Sequence, residues 1–205
     1  TKAIVCQALG ILVDQGKLNW TDKVRDHLPY FQLSDPYITE EARVQDLLTH
    51  NLGIEQADLL WALDSVSTKE TLKRFALSKK GYPMRAGFDY NNVMYAVAGE
   101  VIQAVSGQHW TDFVTENIFK PVGMTDAVAK SADIFKKGNY TTPYLNDMDE
   151  GIVQVDYNLS DQIGAAGMIW ASLSDVTNYI KYLENNAVVG NDTILSKKTF
   201  DYLFK

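Results

Sequence analysis

Apolar side chains recur at helical spacing along most of this chain, whereas strand-like alternation is scarce. Residues 3–15 carry apolar positions on one face and run into Gly16, a natural residue to follow a helix. Residues 68–78 predict an amphipathic helix through Leu72, Phe75 and Ala76. The clearest rhythm lies in 91–106, where Met94, Val97, Ala98, Val101, Ile102 and Val105 follow the i, i+3, i+4, i+7 pattern before Gly107. A further helix over 109–119 carries Trp110, Phe113 and Val114 and is closed by Pro121. Ser172 and Asp175 make a capping-box-like start, after which Val176, Tyr179, Ile180 and Leu183 line one face. Ser196 is placed to cap a last helix carrying Phe200 and Leu203. Tyr140–Leu145 and Gly151–Val155 read as short strands of a small hairpin, and Pro143 bars the first from the middle of a sheet. Residues 20–66 and 121–170 read as loop-rich with short helices. The pattern predicts a mainly α chain, and no repeat or linker divides it, so residues 1–205 are expected to form a single domain.

Composition narrows this little. The chain is 46% hydrophobic and 22% charged, ordinary for a folded protein. A net charge of −7 without a basic stripe argues against nucleic-acid binding. No apolar run approaches the roughly 20 residues that cross a bilayer. The chain opens without Met, directly into a helix already under way, which points to truncation at the front. Cys6 is the one cysteine, so no internal disulfide forms. On a helical face with Leu9, Gly10 and Val13, it reads as a buried small hydrophobe.

Generic motifs are missing. His27, His50 and His109 are scattered without metal-site spacing and read as structural or surface residues. The pair Glu40 and Glu41 reads as solvated, and Asp147, Asp149 and Glu150 lack the spacing of a calcium loop. There is neither a phosphate-binding glycine loop nor a G-x-S-x-G elbow, and no cofactor or metal is expected. Trp110 reads as packing. Trp61 reads the same way, although it could edge a substrate cleft.

Several segments matter through their order. Thr1 and Lys2 open a helix; Leu47, Leu48, Thr49, His50, Asn51, Leu52 and Gly53 follow; Tyr90, Asn91 and Asn92 then enter the long helix over 91–106. Pro121 to Thr125 and Gly164 to Gly167 come next, before the helix that starts at Ser172. This series resembles the family of class C β-lactamases, their esterase relatives and low-molecular-weight penicillin-binding proteins. The resemblance implies the helical part of the α+β β-lactamase/transpeptidase-like fold, with most of the antiparallel sheet missing and the chain truncated at both ends. Thr1 and Lys2 fit the second half of the family's S-x-x-K motif, whose serine would fall two residues before Thr1. Tyr90, Asn91 and Asn92 match Tyr-x-Asn, and Lys/His-x-Gly would follow the last helix. Leu52 stands where the family usually has serine, a change in a structural turn.

The resemblance assigns proton transfer to Lys2 and Tyr90, and contact with the substrate's acylamide or orientation of Lys2 to Asn92. The chemistry is sound, because a serine hydroxyl attacks poorly until a neighbouring base takes its proton. A desolvated lysine or an activated tyrosine can be that base. The resemblance thus implies a serine hydrolase acting on a β-lactam, D-alanyl-D-alanine peptide or ester through an acyl-enzyme, with a small-molecule or peptidoglycan-like substrate. This chain alone would be inactive. Periplasmic or extracellular location follows from the same resemblance. The alternative is a non-catalytic sensor or binding module on the same fold. Helix 3–15 and the apolar face of helix 173–185 are expected to lack their sheet partner, predicting a homodimer or poor solubility.

Overall fold

The computed structural model describes residues 1–58, 60, 66–157 and 161–204. Trp61, and with it any edge it gives a cleft, lies outside the described residues. The main helices are α1 (Lys2–Asp14), α2 (Thr68–Phe75), α3 (Asn92–Ser106), α4 (Trp110–Val114), α5 (Gly164–Gly167), α6 (Leu173–Glu184) and α7 (Lys197–Phe204). Short helical turns occupy Val24–His27, Pro36–Glu41, Val44–Leu47 and Ser131–Ile134. Among the described residues the strands form two antiparallel hairpins. In one, β1 (Tyr144–Asp147) pairs with β2 (Gly151–Gln154), Leu145 facing Val153. The other, β3 (Val188–Val189) with β4 (Asp192–Thr193), has no counterpart in the sequence reading.

The core forms where α1 and α3 cross, with α4, α5 and α7 packed around them. Val97, Ala98, Val101 and Ile102 of α3 are fully enclosed, as their period requires. The uncovered face expected of helix 3–15 is a correction. Ile4, Val5, Ala8, Leu9, Ile11 and Leu12 are all buried, and so is Gln7. Neighbours from the end of the chain supply the cover: Asp14 accepts from the Ser196 amide at 2.6 Å and from the Thr199 hydroxyl at 2.6 Å, locking α7 onto α1. Helix α6 does leave apolar side chains in solvent, with Leu173 83% exposed and Val176 and Ile180 about half so.

Helix boundaries follow local chemistry. The capping box at Ser172 is present, Asp175 N–H donating to Ser172 Oγ at 3.1 Å and Ser172 N–H to Asp175 Oδ2 at 2.9 Å. Ser196 Oγ accepts from Thr199 N–H at 3.2 Å, as its capping position predicts. Strand β1 starts only after Pro143, which has no N–H for a ladder. Pro121 does not close the fourth helix. A π turn at Thr115–Phe119 carries the helix on through Lys120–Val122, and Gly123 ends it. Helix α2 stops at Phe75, short of residue 78, and leaves Leu77 exposed.

One close approach bears on the site. A β-carbon on Gly99 of α3 would stand 2.9 Å from Ala165 Cβ and 3.2 Å from Trp110 Cδ1. The missing side chain lets α5 lie directly on α3, with buried Trp110 as packing. The Ala166 carbonyl is thereby brought to the start of α1.

Candidate active site

Helix α1 begins against α5. Thr1 Oγ1 accepts the Ile169 N–H at 3.0 Å, which sets Lys2 at the meeting point of three segments. Lys2 Nζ donates to Asn92 Oδ1 and to the Ala166 carbonyl, each at 2.8 Å. The same ammonium lies 4.6 Å from the ring centroid of Tyr90 and 5.2 Å from that of Tyr95. An ammonium has donors and no acceptor, so it fixes the Asn92 amide with oxygen towards Lys2. The nitrogen of that amide then points to Asp58 Oδ1 at 3.4 Å. Lys2, Tyr90 and Asn92, named from the sequence, therefore lie together.

Tyr90 and Asn92 are held by the entry to α3. Buried Asn91 caps the helix, its Oδ1 accepting Met94 N–H at 3.3 Å and its Nδ2 donating to Ile54 O at 3.4 Å. The Asn91 N–H donates to His50 Nδ1 at 3.0 Å. His50 thus sits against the cluster, a structural place of the kind its sequence reading gave it. His27 and His109 also keep structural places, His27 beside Asp22 and His109 capping α4. Tyr90 is 45% exposed. Burial pushes the Tyr95 phenol far above its ordinary range, which removes it as a base near neutral pH. Its hydroxyl instead donates to the Leu48 carbonyl at 2.9 Å.

Cys6 is half-buried rather than fully enclosed, with Sγ 3.6 Å from the Tyr95 hydroxyl. Burial raises its thiol, which keeps it protonated and unreactive. Glu40 and Glu41 lie at the surface as read, paired there with Arg25 and Lys23. Among the described residues, no three His, Cys, Asp or Glu side chains gather to hold a metal.

The loop carrying Tyr90 is tied down at Arg85, whose φ is +63°. Its guanidinium takes Asp46 in a fork, Nε to Oδ1 at 2.9 Å and Nη2 to Oδ2 at 2.6 Å. Asp46 is 2% exposed and the Arg85 side chain 37%. Arg85→Ala strands a buried carboxylate that keeps a bond from Arg43 N–H. The expected loss is about 2 kcal/mol, below that for a fully buried pair because Arg85 is partly solvated. Urea unfolding of the variant measures it, and a midpoint equal to that of the parent contradicts the clamp.

The sequence model of the Beta-lactamase family matches residues 1–200. This chain belongs to the Beta-lactamase family. Among its family relatives is an unguisins hydrolase from Aspergillus campestris, 25% identical over 193 residues that cover 89% of this chain and 36% of that protein. The chain thus spans little more than a third of such relatives. The octameric penicillin-binding protein homologue from Pyrococcus abyssi superposes with a TM-score of 0.77 at 24% identity, covering 98% of this chain and 46% of that one. The D-amino acid amidase from Ochrobactrum anthropi SV3, complexed with L-phenylalanine amide, gives 0.79 at 20% identity, over 97% and 56%. These likenesses show the fold, and a mainly helical piece of the β-lactamase/transpeptidase-like architecture is what the described helices and small sheets make up. Within this family chain, the Ala166 carbonyl and Asp58 were missed by sequence reasoning. The first is a backbone atom with no residue signature. The second lies across a loop from Asn92.

Proposed function

We propose that this chain is part of a serine hydrolase that opens an ester, amide or β-lactam bond through an acyl-enzyme. The observation that carries the reading is the convergence of Lys2 Nζ on Asn92 Oδ1 and the Tyr90 ring. In the S-x-x-K spacing, the nucleophile stands three residues before Lys2, on the same helical face. Its hydroxyl oxygen attacks the carbonyl carbon while its proton passes to the lone pair of Lys2 in its neutral amine form, whose two N–H groups still serve Asn92 and Ala166, or to Tyr90 in its phenolate form. The proton then goes to the departing amine or alcohol, and water reverses the sequence on the acyl-enzyme. Asn92 steers Lys2 and can meet the acylamide of the substrate. Two backbone N–H groups, one of them the serine's own, would hold the oxyanion.

The test is intact mass after exposure to a fluorophosphonate probe, comparing the full-length protein with the 205-residue chain. A single adduct is expected on the full-length protein, lost when the serine three positions before Lys2 is changed to alanine. The 205-residue chain is expected to take none. A folded full-length protein without adduct would overturn this reading in favour of a sensor or binding module.

A further inference from the structure

His50 belongs to the Leu47–Gly53 segment singled out in the sequence, yet the hydrolase chemistry gives it no task. Its backbone is left-handed at φ +57°, a conformation that a side chain with a β-carbon resists. Contacts from several directions keep it there. Its carbonyl accepts the Asp89 N–H at 2.9 Å and the Tyr82 hydroxyl at 3.1 Å. Its ring lies 4.4 Å from the Tyr90 ring, tilted by 32°, and 5.4 Å from that of Tyr95. Phe88 meets it edge-on at 5.5 Å, and Nδ1 accepts the Asn91 N–H at 3.0 Å. One imidazole therefore touches the ring of Tyr90 and the backbone immediately before Asn92.

We infer that His50 is the positioning residue of the Tyr90–Asn92 turn: its neutral ring, accepting at Nδ1 and stacked beside Tyr90, holds the phenol near Lys2 and Asn92 aimed at the ammonium. The inference rests on the hydrolase reading and deepens it. A backbone N–H donates, so Nδ1 carries no proton and Nε2 carries the one that a neutral ring has. A second proton would turn Nδ1 into a donor facing a donor and set a new cation beside Lys2.

The charged groups facing the ring are Lys2 from α1 and Asp89 from the loop. The titratable rings facing it are Tyr90 and, from α3, Tyr95. Burial first, and Lys2 second, hold the imidazole below its ordinary value, with Asp89 acting in the opposite direction. An unfolded histidine takes its proton near pH 6.5, so the folded ring stays neutral at pH 7 and the turn loosens at some pH below about 6.5. The stability that the neutral ring gives is complete above about pH 6.5 and is lost as pH falls from there through the folded value.

The test uses the full-length protein as wild type, His50→Asn and His50→Phe. Acylation by the fluorophosphonate probe is followed from about pH 5 to about pH 9, spanning the histidine range. Asparagine keeps an acceptor near Nδ1 and tolerates the left-handed backbone, but does not titrate. The wild type is expected to lose rate below about pH 6.5, and His50→Asn to flatten that limb. Phenylalanine keeps a ring without the acceptor, and a misplaced turn should slow acylation about 10- to 100-fold at every pH. A profile for His50→Asn superimposed on the wild type, or a His50→Phe rate equal to it, would overturn the inference. A second readout needs no turnover: with asparagine amides and histidine rings labelled for NMR, the Asn91 amide should move with the His50 titration. Its failure to move overturns the inference. A coupled titration without any adduct overturns the hydrolase reading and leaves the His50–Asn91 link standing.

Discussion

Gly53→Ala is expected to be among the most damaging single substitutions, costing about 3 kcal/mol or more, the sum of left-handed strain and overpacking. Gly53 has φ +78°, and an added β-carbon would stand 2.3 Å from the Tyr82 carbonyl oxygen. That atom is backbone and cannot swing aside. The loop from His50 to Glu55 is laced to residues 79–89 by Glu55 N–H to Lys79 O, Gly81 N–H to Gly53 O, Arg85 N–H to Asn51 O and Asp89 N–H to His50 O. Relief of the clash would have to separate these two segments, and with them His50 from the Tyr90 turn. Chemical unfolding of the variant reads the loss directly. A midpoint within error of the parent would mean that the two segments part more readily than their hydrogen bonds imply.

Lys2→Met in the full-length protein is expected to lower the rate of probe acylation by about 10²- to 10⁴-fold, the range for removal of a positioned proton-transfer group. Methionine keeps much of the side-chain length and loses both the charge and the donors to Asn92 and Ala166. The lost bonds join partly buried groups, so the stability change should be about 1 kcal/mol, far too little to unfold the protein. Rate and melting temperature measured on one preparation separate the two effects. Acylation within a few-fold of the parent, with the fold intact, would remove Lys2 from the chemistry.

Much of the helical framework was legible because each helix carries its own record. The period through Met94, Val97 and Val101 and the caps at Ser172 and Ser196 are local signals, and they mark α3, α6 and α7. The surroundings of α1 were not legible. Its burial depends on α3, α4, α5 and α7, which lie far along the chain and leave no periodic trace in residues 3–15. The site divided in the same way. The order of short motifs brought Lys2, Tyr90 and Asn92 to attention. His50 stood in the Leu47–Gly53 segment but received no role, since a histidine that accepts from an amide 41 positions later looks in sequence like any other loop histidine. The short β3–β4 hairpin escaped because two-residue strands offer no alternation to detect.

Lys2 reaches Asn92 across 90 residues and Ala166 across 164. Contacts of that sequence separation require most of the chain to be in place before they return any energy. The constellation is therefore a property of the finished topology. During refolding, helical signal should be regained ahead of the Lys2 contacts, and a partly folded chain rich in helix would still be chemically silent.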